Sequence, residues 1–163
     1  KIYMDNYLEG LHIPIVHPEL NKTINYKSYK TETHDQFSLQ WCSIDPQLNP
    51  YKNDSSEDLI AYYVTIFPNV ILNIAPGRLQ TNIVEPIDEK NCSVHFDYYF
   101  EQLDEKQVQK DLDFSDIIQR EDIEICESVQ ASYETKGFKN GIISKKYESG
   151  ILHFHSRLKE ILL

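Results

Sequence analysis

The sequence predicts an α+β fold in which a curved antiparallel sheet packs against a long helix near the C-terminus. Three observations support this. Segments rich in aromatic and β-branched residues, separated by turn residues, occupy much of residues 26–100. From Asp104 to about Tyr133 charged and apolar residues alternate without Gly or Pro, which predicts one long helix or two abutting ones. A shorter helix is predicted over Ile151–Leu162. Strands followed by helices are the order of an α+β domain.

The first element is predicted to be a helix over about Ile2–Leu11. Pro14 disfavours the helical conformation at Ile13 and removes a backbone donor, and Pro18 closes the segment. A polar stretch rich in Pro, Asn, Asp and Ser, from Asp45 to Asp58, predicts a long loop. Five to seven strands are expected, and the candidates are Tyr26–Thr33, Phe37–Ile44, Leu59–Phe67, Val70–Ala75, Arg78–Val84 and Cys92–Phe100. Turns at Lys136-Gly137 and Asn140-Gly141 are expected to follow the long helix.

Composition limits the function classes. The 163 residues are expected to form one domain with a real core. A net charge of −10 without a basic run argues against nucleic-acid binding. No apolar run has the length of a membrane span, and the acidic first twenty residues are not a signal peptide. Three scattered cysteines form neither a disulfide framework nor a Cys-x-x-Cys metal site, so we expect a reduced, cytoplasmic protein.

Two histidines near the N-terminus are candidate metal ligands. His12 and His17 are five residues apart, so on an unbroken helix their side chains would point about 140° apart and could not share an ion. A break at Pro14 would let His17 fold back to face the same point as His12. Glu9, three residues before His12, could orient that ring or relay charge. The alternative is two unrelated loop histidines.

A third ligand is sought on the long helix, because two histidines and one carboxylate with open positions suit non-haem Fe(II). Asp122 lies on the same helical stripe as Ile118 and Ile125 and so faces an otherwise apolar surface. A buried, unpaired carboxylate would cost several kcal/mol, so a cation or donor is expected beside it. Glu121 is the alternative, whereas Glu124 and Glu127 lie on a more polar face.

These residues resemble the C-terminal catalytic domain of the Rieske non-haem iron oxygenases, in their large (alpha) subunits. The likeness extends over nearly the whole chain. The segments that carry it are Asp5-Asn6-Tyr7-Leu8-Glu9-Gly10-Leu11-His12-Ile13-Pro14-Ile15-Val16-His17, Phe67-Pro68-Asn69, Pro76-Gly77-Arg78-Leu79-Gln80-Thr81-Asn82, Glu121-Asp122-Ile123-Glu124-Ile125-Cys126-Glu127-Ser128-Val129-Gln130 and Ile151-Leu152-His153-Phe154-His155.

The resemblance implies a helix-grip fold of the START/Bet v1 kind, with a cavity between sheet and long helix, and head-to-tail homotrimers. It implies iron bound by His12, His17 and Asp122, with Glu9 bridging to the Rieske cluster of a neighbouring subunit. The similar branches act on choline, betaine and carnitine-type substrates or on aromatic rings. The family's [2Fe–2S] cluster needs a set of Cys-x-His and Cys-x-x-His pairs from an N-terminal domain, and this sequence lacks that set, so residues 1–163 are expected to be the catalytic part of a longer chain.

The predicted function is therefore hydroxylation of a small molecule with Fe(II), O2 and electrons from NAD(P)H through a reductase or ferredoxin. Two alternatives remain open, a non-enzymatic ligand carrier of the same architecture and a zinc hydrolase using the same triad. Some of the eleven Tyr, seven Phe and the single Trp could form a cage for a quaternary ammonium by cation–π attraction, although most are expected in the core. The remaining histidines, His34, His95, His153 and His155, are expected to be surface, packing or hydrogen-bonding residues.

Overall fold

The computed structural model describes residues 1–45, 59–102, 104–135 and 141–163. Nearly all of the predicted polar loop, and most of the predicted turns after the long helix, lie outside these residues. The elements are α1 (Ile2–Tyr7), α2 (Ile13–Val16), α3 (Pro18–Thr23), β1 (Ile24–Thr33), β2 (Phe37–Ile44), β3 (Ile60–Ile66), β4 (Val70–Ala75), β5 (Arg78–Pro86), β6 (Cys92–Phe100), α4 (Glu105–Glu134) and α5 (Ser149–Leu162).

The six strands form one antiparallel sheet in which every strand pairs with its neighbours in sequence, from β1 to β6. The prediction of an antiparallel meander is confirmed. Between β4 and β5 the chain reverses at Pro76-Gly77, where Gly77 has a φ of 75°, a conformation that side chains with a Cβ rarely adopt. One set of register partners on successive strands, β2 to β6, faces the helices. Its members are Gln40, Tyr63, Asn73, Gln80 and Tyr98.

The helix α4 is continuous over thirty residues, which decides between one helix and two. It begins after Asp104, whose side chain accepts a hydrogen bond of 2.8 Å from the backbone N–H of Gln107 and so satisfies one free donor of the first turn. Its buried residues are Asp111 and Ser115, and both lie against the sheet residue Arg78. The helix-grip prediction is confirmed, and the face of α4 toward the sheet is unusually polar.

The N-terminal helix ends at Tyr7, so the predicted end at Leu11 was wrong. The physical reason is the Glu9 side chain, which accepts hydrogen bonds from the backbone N–H groups of Leu11 and His12 and replaces helical partners with a turn. Leu8, just after α1, is fully buried. It belongs to the main core, which consists of Tyr3, Met4, Leu8, Ile71, Val84, Ile151 and Phe154.

Gly150 is the point where α5 approaches the segment after α1. A Cβ at this position would lie 2.6 Å from the backbone oxygen of Leu8. We expect Gly150→Ala to lower the free energy of unfolding by about 1–3 kcal/mol, because backbone or helix must shift, even though alanine is the better helix former. Thermal or urea unfolding measures this. The control is Ser156→Ala on the exposed face of the same helix, and equal stability of both variants would contradict the packing argument.

The three cysteines are free, as predicted, and differ in their surroundings. Burial raises the pKa of Cys42 to about 11, and burial, reinforced by the negative charge of Asp122, raises that of Cys126 to about 12. Cys92 is exposed. At pH 8 iodoacetamide is therefore expected to alkylate Cys92 first in the folded protein, because only a thiolate reacts and the other two are thiols. Peptide mass spectrometry over time tests this order, and rapid labelling of Cys42 would contradict it.

Among the described residues, no helix combines the length and the hydropathy needed to cross a membrane.

Candidate metal centre

The two N-terminal histidines lie at opposite ends of the short helix α2, with a turn before His12 and a departure from helical geometry at His17. His12 stands directly before α2, and His17 lies between α2 and α3. Pro14 and Pro18 occupy first-turn positions of these helices, where the missing N–H costs nothing. The ring centroids lie 5.1 Å apart at an interplanar angle of 77°. The two rings are close, as expected, but the break expected at Pro14 is wrong: Pro14 lies within α2, and the backbone N–H groups of Val16 and His17 donate helical hydrogen bonds to the carbonyls of His12 and Ile13.

Asp122 reaches the same point from α4. Its Oδ1 lies 3.1 Å from His17 Nε2 and 3.8 Å from His12 Nε2. One possible ligand atom from each of His12, His17 and Asp122 lies within 4.8 Å of the other two. Two imidazole nitrogens and one carboxylate oxygen thus converge, with His17 buried and the other two half-buried.

The outer nitrogen of each imidazole is held by a carboxylate. His12 Nδ1 is hydrogen-bonded to Glu9, and His17 Nδ1 lies 2.7 Å from Glu121 Oε2. Such contacts favour a proton on Nδ1 and leave the Nε2 lone pair for a metal, as in carboxylate–histidine–metal arrangements. The donor set, its tautomers and its open side fit a divalent metal ion of the Fe(II) or Zn(II) kind.

Glu121 and Asp122, the two candidates for a third ligand, contact opposite nitrogens of the same ring. Glu121 contacts Nδ1 of His17 and Asp122 contacts Nε2. Only Asp122 belongs to the convergent cluster, while Glu121 orients His17. The metal-binding role of Asp122 stays a prediction, but the geometry favours it over Glu121.

The charge balance of this cluster calls for a cation. Desolvation lowers the pKa of His17, but its hydrogen bonds with Asp122 and Glu121 outweigh that influence and raise the pKa above its ordinary value. Among the described residues, no Lys or Arg is paired with Glu9, Glu121 or Asp122. Within the described residues these carboxylates therefore have no fixed cationic side chain beside them, and a metal ion would balance their charge.

Asn6 was not singled out as a site residue by the sequence. Its Nδ2 donates a hydrogen bond of 2.6 Å to Asp122 Oδ1, the same oxygen that faces both histidines. The only signal in the sequence is its place in the motif before Glu9, because its partner lies on α4.

Removing this hydrogen bond is expected to loosen the carboxylate. We expect Asn6→Ala to weaken metal affinity by about 10- to 100-fold, the usual cost of losing a residue that orients a ligand, while the protein stays folded. Competition with a chelator followed by metal analysis measures the change. The control is Gln130→Ala on an outlying part of α4, where the side chain contacts Glu134. Equal metal affinity of the Asn6 variant and the wild type would show that Asp122 is held without it.

The other histidines lie outside the cluster. His155 Nε2 lies 2.8 Å from Asp5 Oδ1, and His153 Nδ1 lies 3.3 Å from Ser38 Oγ. His95 is exposed and pairs with Glu85, and His34 stacks on Phe37 in the turn between β1 and β2. These contacts agree with the expected surface, packing and hydrogen-bonding roles.

A cavity of about 460 Å³ lies between α4 and the sheet, as the resemblance implies. Its aromatic lining residues are Tyr63 and Phe114, and Ile118 and Gln119 place one end of it about one helical turn from Asp122. Tyr63 also contacts the rings of Tyr7 and Tyr29, and all three side chains are partly buried.

Comparison with known proteins decides the family. The family model of the ring hydroxylating alpha subunit (catalytic domain) matches residues 1–163. The chain belongs to this family. As a member of the ring-hydroxylating alpha-subunit family it is similar to the chloroplastic choline monooxygenases of Arabidopsis thaliana, at 32% identity over 97% of this chain and 38% of that protein, and of Spinacia oleracea, at 30% identity over 99% and 37%.

Two further comparisons agree. The carnitine monooxygenase oxygenase subunit of Escherichia coli K12 is 28% identical over 99% of this chain and 46% of its own length. The solved structure of a quaternary ammonium Rieske monooxygenase, described for carnitine oxidation and inter-subunit electron transfer, superimposes with a TM-score of 0.85 at 22% identity, over 98% of this chain and 46% of that one. This ring-hydroxylating alpha-subunit domain thus spans less than half the length of the relatives it matches.

One segment of β6 matches half of the motif that binds a Rieske cluster. The sequence does contain a Cys-x-x-His, Cys92-Ser93-Val94-His95, but no Cys-x-His to complete the cluster-binding set. The segment lies on β6 with both Cys92 and His95 exposed, and His95 is paired with Glu85. It therefore gives no support for a Rieske cluster on this domain.

Proposed function

We propose that this chain is the catalytic domain of a Rieske-type oxygenase that hydroxylates a quaternary ammonium substrate of the choline, betaine or carnitine type. The observation that supports it most directly is the convergence of His12, His17 and Asp122 in a chain whose relatives are choline and carnitine monooxygenases. Ferrous iron held by these three residues would supply the chemistry with O2 that side chains lack. The overall reaction converts one C–H bond to C–OH and the second oxygen atom to water, using two external electrons and two protons.

The residues around the cluster have separate tasks in this proposal. Glu9 and Glu121 hold the two imidazoles, and Asn6 holds Asp122. The cavity beside Ile118 binds the substrate and shields it from water, and Tyr63 and Phe114 offer aromatic faces to a quaternary ammonium group. Aromatic-ring substrates remain possible in the family, but the relatives named above favour the quaternary ammonium class.

Electrons must reach this site from outside the chain. We propose that they come from NAD(P)H through a reductase and then through the Rieske [2Fe–2S] cluster of a neighbouring subunit in a homotrimer, with Glu9 at the point of entry because it touches the ligand His12. The three free cysteines agree with a reducing compartment, such as the cytoplasm or the plastid of the plant relatives.

The test uses the full natural polypeptide with iron, a reductase, NADH and O2. Choline, glycine betaine and L-carnitine are supplied in turn, and product is measured by mass spectrometry. We expect turnover of at least one of them that needs reductant and O2 together, and no steady turnover by residues 1–163 alone with NADH. Iron-free protein would favour a ligand carrier, and turnover without reductant or O2 would favour a zinc hydrolase, the two alternatives that the family membership does not favour.

A further inference from the structure

The cavity between α4 and the sheet contains a buried pair of opposite charges far from the histidines. Arg78 Nε lies 3.1 Å from Asp111 Oδ2, and these side chains are 14% and 7% exposed. The distance is that of an ion pair, yet neither atom forms a hydrogen bond of acceptable direction with any described residue. Charge attraction therefore positions the guanidinium, while part of its hydrogen-bonding capacity stays unused.

The rest of the Arg78 head group is fixed by neutral partners. Its Nη2 donates to Gln80 Oε1 and lies 3.5 Å from Ser115 Oγ, and the guanidinium sits 5.6 Å from the centre of the Tyr98 ring. Nη1 forms no hydrogen bond within the described part of the chain, and it is not among the buried unpaired atoms. Its N–H groups are therefore accessible in a residue that lines the cavity. A held guanidinium with free donors is a typical carboxylate-binding group.

The charged residues that line the cavity differ from those of the metal cluster, which lies beyond its Ile118 end. At one end the lining contains two cationic residues, Arg78 and Lys110, and one anionic residue, Asp111, so its net charge is positive. On α4, Asp122 follows Asp111 by three turns on the same face, at a distance of about 16 Å along the helix axis. The metal cluster is acidic because it contains three carboxylates. Asp122 and Glu121 lie on α4, and Glu9 lies beside His12.

We infer that Arg78 binds the anionic group of a zwitterionic substrate whose cationic group points toward the histidine end. The substrate class is then an ammonium carboxylate rather than an amino alcohol. This inference rests on the proposed function, since it names which quaternary ammonium compounds the same cavity accepts. The supporting features are the free donors of Arg78 and the negative charge of the cluster that lies beyond the other end of the cavity.

The experiment measures binding by calorimetry to the full natural polypeptide, with L-carnitine, its methyl ester and choline as ligands. The ester keeps the cation, removes the negative charge and adds one methyl group, and the double variant separates the effect of charge from that of size. We expect the wild type to bind L-carnitine at least about 10-fold more tightly than the ester or choline, as hydrogen bonds to a charged group are strong. The double variant Arg78→Met/Asp111→Asn removes both charges, so that neither is left buried without a partner. It is expected to lose this preference and to bind the ester as the wild type does.

The control is Arg120→Met, because Arg120 is exposed on α4, pairs with Asp116 and does not line the cavity. Equal affinity of the wild type for L-carnitine and its ester, or an unchanged preference in a folded double variant, would overturn the inference. If circular dichroism shows the double variant unfolded, the ester comparison on the wild type decides. Iron content is measured in parallel: an iron-free wild type contradicts the proposed function, whereas an iron-loaded protein without carboxylate preference contradicts this inference alone.

Discussion

Replacing His12 or Asp122 with alanine is expected to abolish iron retention. Each side chain supplies one of three convergent ligand atoms within 4.8 Å, so either variant leaves only two protein ligands. The His12 variant also leaves Glu9 without its ring partner, and the Asp122 variant leaves the Asn6 amide without its acceptor. We expect iron in the purified protein to fall from stoichiometric to background in metal analysis after growth in iron-supplemented medium.

The matched control for these variants is Glu127→Gln, which changes a carboxylate on the exposed face of the same helix. It should keep full iron content. Circular dichroism establishes that the ligand variants remain folded. Stoichiometric iron in folded His12→Ala protein would mean that the cluster is not the metal centre, and the proposed function would lose its main support.

Glu9→Ala, made in the full natural polypeptide, is expected to keep its iron and to lose coupled turnover. Glu9 is not one of the convergent residues. It is hydrogen-bonded to His12 Nδ1 and accepts hydrogen bonds from the backbone N–H groups of Leu11 and His12. Its removal takes away none of the three convergent ligand atoms, so iron is still bound although less tightly, and it interrupts the hydrogen-bonded route by which we propose that electrons arrive. A loss of about 10- to 100-fold in product formed per NADH is expected, by analogy with other residues that orient a metal ligand.

Two measurements separate this role from a structural one. Metal analysis reports iron content, and single-turnover mixing of the reduced protein with O2 and substrate reports whether the site works once electrons are present. We expect near-normal chemistry in a pre-reduced site and slow re-reduction. Glu121→Gln is the comparison, because Glu121 holds the other imidazole but lies off the proposed electron route, so its variant is expected to lose iron affinity and still be re-reduced at the normal rate. A Glu9 variant that re-reduces at the normal rate would remove the relay from the proposal.

Local pattern was enough to predict most of the fold. The lengths and composition of the strands, the absence of Gly and Pro from α4, and the turn residues between strands are all short-range signals, and they led to the observed order of elements. The clear errors are the break expected at Pro14 and the end of α1. A side chain, Glu9, takes the backbone donors that a longer helix would use, and helical periodicity does not report such competition.

The histidine pair was partly predictable. The sequence offered His12 and His17 as a pair, but the break that it predicted at Pro14 is not formed, because this residue lies in the first turn of α2. The direction of the turn, and hence the distance of 5.1 Å between the ring centroids, follows from the packing of Leu8 into the core and from the turn at Glu9.

By itself the sequence determined the α+β architecture, the candidate ligands and the family likeness, because each of these depends on residues close together in the chain. Only the tertiary structure showed that Asp122 and Glu121 contact opposite nitrogens of His17, joined Asn6 to Asp122 and placed Arg78 beside Asp111. Adjacent helical residues differ by about 100° in direction, and partners on different elements share no local pattern. Their contact is decided by how the sheet and α4 pack, and no short stretch of sequence reports that packing.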